Sequence, residues 1–153
     1  MKYKTIGAFK GVQNVPYCKA DADMAVGMGV ILDRVAKTAK LPASAEDAKG
    51  CFRIVSNIND RPEAHSFEDS VAVLKDEYVR ADDLTSVANL EIEFAAPEIA
   101  TEYSDLTVAD KLVFGVGGKL EKATSVDGYK IYFEIIGLTA YRGAGVLAVI
   151  RVA

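Results

Sequence analysis

The residues Val113-Phe114-Gly115-Val116-Gly117-Gly118-Lys119-Leu120 run a short apolar segment into a glycine cluster with a lysine behind it. That composition suits a phosphate-binding loop, in which glycine amides and a lysine ammonium cradle the anion. The spacing argues otherwise. A phosphate loop needs a glycine six positions before the lysine and a hydroxyl directly after it. Those positions hold Val113 and Leu120. The dinucleotide fingerprint G-x-G-x-x-G fails too, because its third glycine falls on Leu120, or on Leu32 when counted from Gly27 and Gly29. Two consecutive glycines accept positive φ, so Gly117-Gly118 reads as a tight turn between two strands.

The other reactive side chains are sparse. His65 is the one histidine of the chain, with Ser66 beside it. Adjacent residues of regular structure do not meet as base and nucleophile, so His65 reads as a loop residue and no catalytic residue is assigned. Cys18 and Cys51 are too few for a disulfide scaffold. Pairing is open to them, but two buried thiols is the reading a reducing compartment favours. One histidine and two distant cysteines leave out the usual zinc frameworks. Acidic clusters at Asp21 and Asp23, at Asn57, Asn59 and Asp60, and at Asp82 and Asp83 lack the spacing of a calcium loop. They read as solvated loop acids, and no metal or cofactor is expected. Arg80 stands among Asp76, Glu77, Asp82 and Asp83, either as a surface ion-pair group or as a contact for a basic partner. Tryptophan is absent and aromatics make up 8% of the chain. A stacking platform for sugars or single-stranded nucleic acid is thus poorly provided.

The elements that carry these residues are strands. Tyr129 to Ile136 alternates, with Tyr129, Ile131, Phe133 and Ile135 on one face. Gly143 and Gly145 then supply a turn, and Val146 to Val152 is a β-branched run, which predicts a C-terminal hairpin. Lys111 to Phe114 and Lys119 to Ala123 flank the glycine turn. Leu90 to Ala95 alternates, with Leu90, Ile92 and Phe94 on one face and Glu91 and Glu93 on the other, which predicts a strand. Val71 to Leu74, Glu77 to Ala81, Cys51 to Ser56 and Met24 to Leu32 are further strands, the last bent at its glycines. All four prolines are expected between strands. One or two helical turns are expected after Ser44, which has Asp47 at capping-box spacing and Gly50 as a stop. Residues 23–36 echo residues 110–123, each running acid, apolar segment, glycines, apolar segment, basic residue and alanine.

These patterns predict an all-β chain, a small single-domain barrel or sandwich of short antiparallel strands with an N-terminal arm and little helix. Its 153 residues suffice for one such core. Net charge is −4, which makes no case for nucleic acid. No membrane span is expected, and Met1 to Val12 shows no secretory pattern. The charge is uneven: residues 1–20 hold Lys2, Lys4, Lys10 and Lys19 and no acid, leaving 14 basic and 22 acidic side chains in residues 21–153. The organisation expected is a weakly basic arm, 1–20, before a β-domain, 21–153, with the arm poised to dock on an acidic neighbour.

Three phrases carry a resemblance: Ala22 to Ala36, Asp76 to Leu84, and Asp110 to Thr124, followed by the strand-rich end. Together they resemble small virion proteins of tailed bacteriophages, of the capsid-decoration and head-fibre-base type. The resemblance implies a structural protein on the capsid exterior, made in the host cytoplasm. It would bind the major capsid protein or other virion subunits and reinforce the shell without catalysis. A homotrimer would suit a three-fold lattice site. The N-terminal residues Lys2, Tyr3, Lys4, Ile6, Phe9 and Lys10, with one barrel rim, are the expected contact. The alternative is a tail or connector component, or another protein- or carbohydrate-binding module.

Overall fold

A short alternating strand buries one face, so it needs partners on both edges and a layer above it. The computed structural model, which describes residues 1–4, 11–57 and 72–153, meets that need with a closed barrel and a sheet laid against it. The strands are β1 (Lys2–Tyr3), β2 (Gln13–Ala20), β3 (Met24–Ala25), β4 (Gly29–Asp33), β5 (Thr38–Lys40), β6 (Arg53–Val55), β7 (Ala72–Val73), β8 (Tyr78–Asp83), β9 (Glu91–Ala95), β10 (Lys111–Phe114), β11 (Leu120–Ala123), β12 (Ile131–Thr139) and β13 (Gly145–Val152). The barrel runs β2-β5-β4-β6-β8 and closes where β8 pairs with β2. The sheet runs β1-β9-β13-β12-β10-β11, with every pair antiparallel. β3 and β7 form a separate ribbon.

The protein is thus all-β. The strands expected at 111–114, 119–123, 129–136 and 146–152 are present within a few residues, and β12 and β13 form the C-terminal hairpin. The turn after Ser44 is the helix Ala45–Gly50, and the Ser44 hydroxyl accepts the Asp47 amide at 3.1 Å.

Several expectations need correction. Residues 13–20, grouped by charge with the arm, form β2, and Cys18 and Ala20 lie in the barrel core. Residues 2–3 form the edge strand β1, paired to β9. β2 also pairs parallel with β5, so the strands are not all antiparallel. Pro16 lies inside β2 rather than between strands. It sits where the β2–β8 register shifts between Val15 and Cys18, so its missing amide disrupts no regular ladder. The segment 24–32 breaks at Gly27, φ +95°, into β3 and β4, which belong to different sheets. The echo of 110–123 in 23–36 therefore marks two unlike structures: a hairpin in one case and a break between sheets in the other.

The two cores follow from the layers. A five-stranded barrel is narrow, and its filling is small: Cys18, Ala20, Val30, Ala39, Val55, Val79 and Ala81. The larger core lies between sheet and barrel, where Phe133 meets Phe94 and Phe114 edge-on at 5.0 and 5.4 Å. Ile54, Leu84 and Cys51 join it from the barrel side.

Candidate binding surfaces

The Gly117-Gly118 segment is a turn whose amides are already used. Both glycines have φ +83°. The Gly115 amide donates to Lys119 O, the Gly117 amide to Pro42 O at 2.8 Å, and the Gly118 amide to Gly115 O at 3.0 Å. No amide of this set is left to bind a phosphate. Instead Gly118 O accepts the Gly29 amide at 2.7 Å. The two glycine phrases of the sequence thus meet, and they join the sheet to the barrel. A Cβ on Gly118 would lie 2.6 Å from Gly29 O, and one on Gly29 would lie 2.6 Å from the Phe114 ring.

The N-terminal residues expected to contact a partner are engaged within the chain. Lys2 Nζ and Lys4 Nζ lie 3.2 and 3.1 Å from the Glu93 carboxylate. Glu93, on the face of β9 opposite Ile92 and Phe94, is 3% exposed, and the Lys2 and Lys4 side chains help to cover it. Burial alone would raise the Glu93 pKa; hydrogen bonds from Thr139, Lys4 and Lys2 outweigh it and hold the carboxyl below its ordinary value. The Lys2 ammonium also stands 4.4 Å over the Tyr141 ring. The Tyr3 hydroxyl donates to Asp82 Oδ2 at 3.2 Å, and burial, then the Asp82 charge, raises its pKa. The Met1 ammonium pairs with the buried Glu98 carboxylate. Ile6, Phe9 and Lys10 lie outside the described residues, as do His65 and Ser66.

Asp82, read as a solvated loop acid, is 2% exposed inside β8. Its burial raises its pKa against the hydrogen bonds of Ser56 and Tyr3 and the charge of Arg80, whose Nε is 3.6 Å away. Asp83 caps the following turn through the Thr85 amide and meets Arg53 at 3.3 Å. The Tyr3–Asp82 hydrogen bond ties the sheet to the barrel. A cavity of about 280 Å³ lies beside it, lined by Tyr3, Val26, Ser56, Asn57, Arg80 and Asp82 among others. Cys18 and Cys51 are both free and buried. Burial pushes the Cys51 thiol up to about 12, and it raises Cys18 as well. Among the described residues, no group of three or more His, Cys, Asp or Glu is placed to hold a metal ion.

The outward-facing site is at one end of the barrel. Tyr17 and Lys19 share one face of β2, and Tyr78 stands opposite Lys19 on β8. The Lys19 ammonium is 5.3 Å from the Tyr78 ring centre. Lys37, from the β4–β5 turn, and Lys75 and Asp76, from the β7–β8 turn, complete a concavity of about 420 Å³ with Asp21. Tyr78 is 60% exposed and Tyr17 43%. Beside the concavity the β4–β5 turn holds Val35 out at 94% exposure. The turn is rigidly made: Asp33 Oδ1 accepts the amides of Val35 and Ala36 at 2.9 and 2.8 Å. Lys37 and Asp76 both have positive φ, 56° and 69°, which side chains rarely adopt. Sequence reasoning missed this surface. Its residues come from three segments, and the one local signal was the Tyr-x-Lys alternation at 17–19.

The chain matches no protein-family model, and a comparison with curated proteins found no match. Fold and surfaces therefore describe it only as an all-β protein with one aromatic, lysine-edged barrel end.

Proposed function

We propose that this chain is a non-catalytic structural protein of a tailed-phage particle, bound to the outside of the capsid and reinforcing it. The observation that carries the reading is the barrel end, where Val35, Tyr78 and Tyr17 are held in solvent on paired strands and a capped turn. Large side chains presented on rigid elements suit recognition of a protein surface, because little side-chain freedom is lost on docking. The N-terminal residues Lys2, Tyr3 and Lys4 already serve Glu93 and Asp82. The contact is therefore placed on the barrel rim rather than on those side chains. Binding that favours the assembled lattice stabilises it by mass action. Repetition across the lattice allows each contact to be weak. A homotrimer at three-fold positions is part of the proposal.

Quantitative mass spectrometry of purified particles, against the recombinant chain as standard, tests the reading. Copy number scaling with the capsomer lattice supports decoration. A single ring's worth points to a tail or connector component, and absence from particles overturns the virion reading. Val35→Asp and Tyr78→Ala are expected to lower occupancy while leaving the far-UV circular dichroism unchanged. Light scattering of the pure protein reads the trimer directly.

A further inference from the structure

We propose that the concavity at the barrel end takes an acidic, extended segment of a partner protein; the proposal rests on reading that end as the contact surface. Three lysines, Lys19, Lys37 and Lys75, line it, and Arg34 stands on the adjoining turn, in a chain whose net charge is −4. Against Asp21 and Asp76 the three lysines leave the lining positive by one charge, and a net positive concavity on an acidic molecule steers an acidic partner to that place. The Tyr17 and Tyr78 rings supply apolar contact between the charges, and Val35 stands exposed on the adjoining turn. Asp21 and Asp76 also line the concavity. They select for the class of ligand. A peptide backbone brings N–H donors that these carboxylates accept, whereas the sugar-phosphate backbone of DNA offers them only acceptors and further negative charge. That distinction favours an acidic protein segment over nucleic acid.

The test uses the intact chain with poly-L-glutamate and, in parallel, oligo-dT, followed by isothermal titration at low salt. Lys37→Glu is compared with Lys111→Glu, which changes net charge equally but lies on β10 of the sheet. Tyr78→Ala removes a ring without changing charge. The expected result is poly-L-glutamate binding that Lys111→Glu preserves, that Lys37→Glu weakens by about fivefold, and that Tyr78→Ala also weakens. Equal losses from Lys37→Glu and Lys111→Glu would reduce the effect to overall charge and overturn the proposal. So would no binding of poly-L-glutamate, or tighter binding of oligo-dT with the same pattern of losses. The particle assay is independent of this one. Lattice-scaled occupancy without selective peptide binding sinks the acidic-segment proposal alone. Selective peptide binding by a chain absent from particles sinks the virion reading alone.

Discussion

Gly29 and Gly118 meet where sheet and barrel join, and neither position has room for a side chain. At Gly118 an added methyl group meets backbone at φ +83°, so close contact and left-handed strain combine. Gly118→Ala is expected to destabilise the protein by about 3 kcal/mol in urea unfolding. Gly29→Ala should fall in the same range, because the Phe114 ring it would strike is itself fully buried. Gly117→Ala separates the two effects. It carries the same φ with nothing within reach of its Cβ, so only strain remains, about 1 kcal/mol. Equal losses at Gly117 and Gly118 would show that the close approach to the barrel contributes nothing. The cysteines give a second residue-scale prediction. Both are buried with raised pKa, Cys51 to about 12. Neither thiol should react measurably with a disulfide reagent at neutral pH until denaturant is added, whereupon two equivalents appear.

Strand β1 is held as much by charge as by pairing. It has two residues, and Glu93, on the strand beside it, is clamped by Lys2 and Lys4. Because the folded-state pKa of Glu93 is depressed, the unfolded chain binds more protons across the carboxylate range. The stability Glu93 contributes is present above its unfolded pKa and is lost as pH falls through its folded one. Asp82 tilts the other way: its raised pKa gives a contribution present below its unfolded pKa and lost as pH rises through its folded one. Glu93→Gln should therefore cost about 1–2 kcal/mol at neutral pH and flatten the acid limb of the stability profile. An unchanged acid limb would mean that the clamp contributes nothing. Element identity was legible where alternation was strong, as in β9 and β12, or where an apolar run met a glycine turn, as in β10 and β13. β2 was not, because its outward positions carry lysine and tyrosine and Pro16 interrupts it. β5, at three residues, is too short to show any period. The burial of Glu93 was not legible: alternation tells which residues share a face but not what covers it, and the Lys2 and Lys4 side chains reach Glu93 from the other end of the chain.

At the scale of the whole molecule, barrel and sheet share one core. Cys51, Ile54 and Leu84 from the barrel side pack with the phenylalanines of the sheet, and the Gly29–Gly118 hydrogen bond crosses the junction. Thermal unfolding should therefore be a single transition, with calorimetric and van't Hoff enthalpies equal. Two resolved transitions would show barrel and sheet to be separate folding units. The sequence by itself determined the all-β class, the C-terminal hairpin, the glycine turn and the helix cap at Ser44. Each of these depends on residues a few positions apart, through alternation, positive φ or a local hydrogen bond. Only the tertiary structure decided that the barrel closes through β2 and that the N-terminal lysines face Glu93. It alone showed the two glycine phrases in contact, and Tyr17, Lys37 and Tyr78 gathered at one end. Those outcomes depend on which strand edges and faces come to lie together across the chain, and no local spacing records that.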